Sequence, residues 1–207
     1  MIARIMLYIK HRLPWLWRWV EWLNARFYAL LHSRRMQRQM RRAFATFTLE
    51  GFTFRPMGRD DLPQLAELLA RQEASRLRYF QPHGFALPSL RGMWANPAFL
   101  MFGVWNVSGE LVGYFFLRCF CNRRCFVGRM IDAPSEGQGI GRVMNQIMYH
   151  TAWWSGFHCM TTISKHNQAV MRSHQNNSHA RTVSELGNDY LLVEFVDVPT
   201  GQRTVEL

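Results

Sequence analysis

The feature that most restricts what this chain can fold into is the run Ile131-Asp132-Ala133-Pro134-Ser135-Glu136-Gly137-Gln138-Gly139-Ile140-Gly141-Arg142, in which three alternating glycines separate a strand-like segment from a helical one. Before it, residues 125–131 read as a strand; after it, Val143, Ile147 and Met148 fall on one face of a helix. Glycines allow a tight turn with its amides pointing inward, and at a helix N-terminus those amides and the helix dipole form an anion site suited to a pyrophosphate. A phosphate-bearing ligand is the physical expectation. A turn shaped only by packing fits the same glycines, so the surrounding elements have to decide.

Residues 52–55 alternate like a short strand, and Asp60 precedes Leu62-Pro63 as an N-cap precedes a helix, which is expected to run to about Ala74. Pro82, Gly84, Pro88 and Pro97 break the following stretch into short helices and loops, where substrate specificity is expected to reside. Residues 99–107 and 111–121 read as a hairpin about Ser108-Gly109-Glu110. Beyond the glycine loop come a helix to about Trp154, a strand over 160–164, a helix over 167–175 and a final strand over 190–196. With 207 residues and 48% apolar composition, the chain suffices for one domain and an appendage.

This order of elements resembles the GNAT (GCN5-related N-acetyltransferase) fold over residues 52–196. The fold class implied is α/β (α+β), a mixed and mostly antiparallel sheet flanked by helices. Glu136-Gly137-Gln138-Gly139-Ile140-Gly141 is similar to the family's Gln/Arg-x-x-Gly-x-Gly/Ala motif, with Ile131 and Pro134 where a valine and a proline usually precede it. Glu136 departs from the pattern, since a carboxylate repels a pyrophosphate unless it points away. Asn167 resembles the asparagine that opens the helix beside the coenzyme, although an N-cap explains it equally. The resemblance implies acetyl-CoA as co-substrate. It implies cofactor contacts from Ile131, Ala133, Glu136, Gly137, Gln138, Gly139, Ile140, Gly141, Arg142 and Asn167.

The same resemblance implies direct attack of a neutral amine on a thioester, with a backbone amide near Ile131 facing the carbonyl. Asp132 is the first candidate for the base, with Glu73 and His83 behind it, and a solvated turn carboxylate is the bland alternative for Asp132. His174 stands where many members carry the tyrosine that protonates the departing thiolate; Tyr190 is the alternative acid. Cys119, Cys121 and Cys125 raise the question of zinc, but strand alternation and the lack of a paired Cys-x2-Cys argue for core cysteines and no metal. No cleavable leader precedes the cysteines, so a reduced, cytoplasmic setting without disulfides is expected.

Net charge is +11, and residues 1–47 hold ten basic residues against Glu21, leaving +2 for residues 48–207. These divide the chain into a basic, amphipathic helical arm and a nearly neutral acyl-CoA-binding domain. Leu16, Trp19, Val20, Leu23, Phe27, Leu30 and Leu31 form a broad apolar face on the first helix, with Arg18, Glu21, Ala25 and His32 opposite. Met36, Met40, Ala43, Phe44 and Phe47 form a stripe on the second. Charges interrupt every apolar run long enough to span a bilayer. Tryptophans among arginines suit an anionic membrane surface at its inner face; packing on the domain or across a homodimer, and nucleic-acid phosphates, are the alternatives.

The function expected is therefore acetyl transfer to a primary amine of a small-molecule or lipid-linked acceptor. A general likeness of residues 163–167 and 188–192 to enzymes of surface-polysaccharide pathways points to an amino sugar. A GNAT-like domain that binds coenzyme A without turnover, or a nucleic-acid-associated acetyltransferase, stands as the alternative.

Overall fold

The computed structural model describes residues 14–80, 82–175, 177–187 and 189–198, with the side chains of Pro14, Trp17, Ala169 and His174 outside the description. Among the described residues seven strands form one sheet: β1 (Phe52–Pro56), β2 (Phe99–Asn106), β3 (Leu111–Cys119), β4 (Arg124–Ile131), β5 (His158–Ser164), β6 (Ala180–Leu186) and β7 (Tyr190–Phe195), in the order β1-β2-β3-β4-β5-β7-β6. Every neighbouring pair is antiparallel except β4 and β5. The β2–β3 hairpin closes where the Asn106 side chain accepts from the amides of Ser108 and Glu110 and Gly109 takes φ +78°.

Helices cover both faces: α1 (Pro14–Leu31), α2 (Ser33–Thr46), α3 (Leu62–Ala70), α4 (Ala74–Leu77), α5 (Leu87–Trp94), α6 (Ile140–Ser155) and α7 (Gln168–Gln175). One face packs Phe115, Leu117 and Val127 against Val143, Met144 and Ile147 of α6. The other packs Tyr114, Phe116 and Met130 against Leu62, Leu65 and Leu69 of α3 and Leu90 of α5. This alternation along β3 and β4 produces two cores from one sheet.

The β4–β5 pairing is short. Arg124, Cys125 and Phe126 pair with His158, Cys159 and Met160, and beyond them the two strands diverge. At the point of divergence the Thr161 hydroxyl donates to the Val127 carbonyl at 3.1 Å. A wedge-shaped opening results in the middle of the sheet.

Two expectations change. Strand β6 was not anticipated: Ala180 to Leu186 are almost all exposed, so neither alternation nor a run of apolar residues marks them, and pairing with β7 alone makes them a strand. The second-helix stripe is buried rather than free, with Met36 and Ala43 inside the core beside α6 and Arg42 lying over the Trp154 ring at 4.1 Å. Residues 33–46 thus share a core with the sheet.

Helix α1 keeps the expected division of its faces and not the alternative in which the apolar one packs on the domain. Its polar side faces the protein: Asn24 donates to the Cys119 carbonyl at 3.1 Å and accepts from the Cys121 amide at 2.9 Å, Glu21 pairs with Arg118 at 2.6 Å, and Ala25 and Tyr28 are buried. Those polar groups satisfy backbone at the β3–β4 turn, which apolar side chains could not do. The wide apolar face is left outside, with Trp15, Trp19, Trp22, Leu23, Phe27, Leu30 and Leu31 exposed.

Candidate active site

The glycine loop leaves β4 through a 3-10 turn at Ala133–Ser135 and enters α6 at Gly139. Gly137 and Gly139 have φ of +78° and +85°, a region that costs a side-chain-bearing residue about 1 kcal/mol or more. No side chain caps α6, so its first amides remain available, and among the described residues none accepts from the amides of Gly137, Gln138 or Gly139. Gly141 is required for a different reason. A Cβ there would lie 2.8 Å from the Arg129 guanidinium and 3.2 Å from Ile131.

Arg129 was missed at the sequence level, although Cys125, Val127, Arg129 and Ile131 share one face of β4 and a cation among them stands out. Its Nε donates to Asn145 Oδ1 at 2.9 Å, and no described Asp or Glu lies within ion-pair distance. Burial pulls its pKa below the ordinary arginine value. A half-buried cation with no described carboxylate in direct contact, only the more distant charge of Glu136, is costly, and an anion at the head of α6 relieves it.

Glu136 does not oppose such an anion. Arg76 of α4 donates to Glu136 Oε1 at 2.6 Å and to the Ile131 carbonyl at 2.7 Å, which neutralises the carboxylate and ties the loop to β4. The amides, Arg129 and the compensated Glu136 fit a pyrophosphate. Of the remaining expected contacts, Ile131 is half-buried at the end of β4, Ala133 and Gln138 are exposed on the loop, and in the first turn of α6 Arg142 is exposed and Ile140 buried.

Two cavities enter the splay. One, of about 350 Å³, lies on the α6 side and is lined by Arg129, Glu136, Asn145, Tyr149, Asn167 and Ser173 among others. Asn167 both lines it and caps α7, accepting from the Val170 amide at 3.2 Å. Burial raises the Tyr149 pKa, so this phenol stays protonated, and its oxygen accepts from Asn177 at 3.3 Å. The other cavity, of about 460 Å³, uses the opposite face, with Arg78, Phe116, Arg118, Phe120, Phe126 and Tyr190 in its walls. Tyr79, Phe80, Val127, Gly128, Thr161 and Thr162 belong to both. Two compartments therefore meet at the divergence of β4 and β5.

The proton-transfer candidates fare differently. Asp132 lines neither cavity: one carboxylate oxygen accepts from Gln72 at 2.7 Å and the other pairs with Arg71 at 2.7 Å, an arrangement that clamps β4 to the end of α3. His83 also lies outside both linings, with Nδ1 donating to the Gly84 carbonyl at 2.9 Å and Nε2 accepting from the Tyr114 hydroxyl at 2.8 Å. Glu73 accepts from the Ser75 hydroxyl at the start of α4. The His174 side chain lies outside the described residues; its backbone belongs to α7, next to Ser173. Cys119, Cys125 and Cys159 are buried on adjacent strands and Cys121 is exposed. No group of three His, Cys, Asp or Glu among the described residues is placed to hold a metal.

No protein-family model and no curated protein matches this sequence. Solved structures do match its shape. The ribosomal-protein-S5-alanine acetyltransferase of Vibrio fischeri superposes with a TM-score of 0.60 at 15% identity, over 72% of this chain and 95% of that one. The PaiA N-acetyltransferase of Thermoplasma acidophilum, solved with coenzyme A, gives 0.57 at 12% identity over 70% and 99%. The spermidine N-acetyltransferase of Vibrio cholerae, solved with CoA and spermine, gives 0.55 at 16% identity over 70% and 94%. The chain has the GNAT fold. Within this GNAT fold, the splayed β4–β5 pair brings Glu136 at the start of the glycine loop, Arg129 and Asn167 to one cavity, while Gly137 to Gly141 lie outside its lining.

Proposed function

We propose that this chain is an acetyl-CoA-dependent N-acetyltransferase acting on a primary amine. The observation that carries the reading is the pair of cavities entering the splay from opposite faces and sharing its walls. A donor and an acceptor admitted from opposite sides meet at one point, and such positioning supplies most of the acceleration of an acyl transfer that needs little covalent help. Acetyl-CoA brings an activated thioester. The amides of residues 137–141 and Arg129 hold its phosphates, and Asn167, Val170 and Ser173 border its arm. The amine nitrogen attacks the thioester carbonyl carbon, the carbon–sulfur bond breaks, and the thiolate leaves with a proton for which His174 on α7 is our candidate donor. With Asp132 clamped, the proton lost by the amine passes to water. Calorimetry with acetyl-CoA, followed by thiol release on adding amines, tests the reading; full-length protein that neither binds acetyl-CoA nor releases thiol rules it out.

The outer face of α1 supports a second part of the proposal, attachment to an anionic membrane surface from the cytoplasmic side, with an acceptor that is sugar- or lipid-associated. Trp19 is 58% exposed and Leu30 80%, and on the same face Arg26 sits over the Trp22 ring at 5.3 Å. Aromatic rings with neighbouring guanidinium groups match the headgroup layer. No described helix is long and apolar enough to cross a membrane, so binding is along the surface. Full-length protein is expected to pellet with anionic vesicles, less at high salt, and Trp19→Ser with Trp22→Ser to stay in solution. Dimerisation that these two substitutions abolish, without vesicle binding, assigns the face to a second copy instead.

A further inference from the structure

We infer that the acceptor is a weakly basic primary amine carrying an anionic group, a carboxylate or a phosphate, several bonds removed from the amine. This rests on the acetyltransferase reading and specifies its substrate. The cavity opposite the glycine loop has Arg78 and Arg118 in its walls together with Tyr79, Phe80, Phe116 and Phe126, and among the described residues neither Asp nor Glu lines it. A polyamine would bring two or more positive charges into a compartment whose charged walls are both cationic. Like charges in a partly dry site repel strongly enough to exclude such a ligand.

The two arginines differ in availability. Arg78 is exposed, with its guanidinium 5.5 Å from the Tyr79 ring and no ion-pair partner among the described residues. Arg118 holds Glu21 of α1 through a single 2.6 Å contact from Nη2, which leaves other donors of its fork for an anion. Glu21, the carboxylate paired with this wall arginine, belongs to α1. Gly128 keeps the cavity floor flat, since a Cβ there would meet Phe116 at 2.6 Å and Phe80 at 3.5 Å. The aromatic walls accept the body of the acceptor and the arginines its negative group.

The absence of a carboxylate or imidazole from the described wall bears on the amine as well. Attack needs the neutral amine, and no lining group is suited to take its proton. A lysine-type or polyamine nitrogen with a pKa near 10.4 is about 0.1% neutral at pH 7.4, whereas an α-amino-type nitrogen near 8 is roughly a fifth neutral. The walls favour the second kind.

The test measures thiol release from acetyl-CoA by the full-length protein with acceptors whose amines titrate alike, at about 8: glucosamine against glucosamine 6-phosphate and alaninamide against alanylglycine, with spermidine as the polyamine. The expected result is a kcat/KM at least about tenfold higher for one charged partner over its neutral match, the size of one charge-assisted hydrogen bond, with spermidine poorest. The first pair reports phosphate and the second carboxylate. Arg78→Gln and Arg118→Gln should each erase most of that preference by raising KM with kcat retained. Glu21→Gln should leave KM unchanged or lower it; a rise matching that of Arg118→Gln would show that Arg118 acts only by seating α1. Spermidine equal to the anionic acceptors, or a preference indifferent to both arginine substitutions, overturns the inference. Calorimetric acetyl-CoA binding keeps the two levels apart: binding without anionic preference defeats this inference alone, and loss of binding defeats the transferase reading beneath it.

Discussion

One nitrogen of Arg76 lies 2.6 Å from Glu136 and 2.7 Å from the Ile131 carbonyl, so a single guanidinium both cancels the charge of the glycine loop and fastens it to β4. Removing it exposes a carboxylate beside the phosphates. Arg76→Ala is therefore expected to weaken acetyl-CoA about tenfold or more. Arg76→Ala with Glu136→Gln should recover much of that loss, because the repulsion goes with the charge. Calorimetry on the two single variants and the double variant measures the coupling, and additive losses would deny the neutralising role.

Gly141 and Gly139 should fail for different reasons. Gly141→Ala pushes a methyl group to 2.8 Å from Arg129, and the side chain has to move off Asn145, so coenzyme affinity falls while the fold survives. Gly139→Ala meets no backbone or side chain closer than 3.9 Å, but φ of +85° penalises it by about 1 kcal/mol or more. Thermal denaturation with calorimetry separates them: the first variant keeps its midpoint and loses binding, the second loses both.

The second helix should prove inseparable from the domain. Met36 and Ala43 are fully buried against the α6 side of the sheet, and a buried Met→Ala substitution costs about 2–5 kcal/mol. Met36→Ala is expected to lower the thermal midpoint by several degrees, and deletion of residues 1–47 to give aggregated protein. A soluble, cooperatively unfolding truncation would restore the boundary expected at residue 47.

Stability should decline on acidification near neutrality through His83. Its ring lies between the Gly84 carbonyl and the Tyr114 hydroxyl, and burial holds its pKa below the ordinary 6.5. The unfolded chain then binds the proton more readily, so stability rises with pH between the folded and unfolded pKa values and is lost as pH falls below about 6.5. The slope contributed is at most about 1.4 kcal/mol per pH unit. Midpoints from pH 7.5 to 5.5 should fall less steeply in His83→Gln, and an identical slope would remove His83 from the account.

The glycine loop, the hairpin and the sequence of strands and helices were legible because each rests on local chemistry: positive-φ glycines, an Asn106 turn, alternating faces. Strand β6 was not, since its residues carry no periodic signal and only β7 makes them a strand. Asp132 looked available at the end of β4, and only the tertiary neighbours Arg71 and Gln72 reveal it as a clamp. The same distinction governs α1. Its periodicity announced an apolar face correctly, but burial of the face depended on whether Asn24 and Glu21 found partners on the β3–β4 turn, which spacing in one segment does not specify.

The short β4–β5 pairing has a further consequence. Strand edges ordinarily lie at the rim of a sheet, where charges, bulges or prolines protect them from unwanted pairing. Here residues 128–131 of β4 are paired with β3 alone, so an edge is set inside the sheet, between two cavities. A slender, amide-bearing ligand arm can reach it. The fold thus carries its unpaired strand backbone at the centre of the sheet and not at its rim, walled by side chains of both cavities.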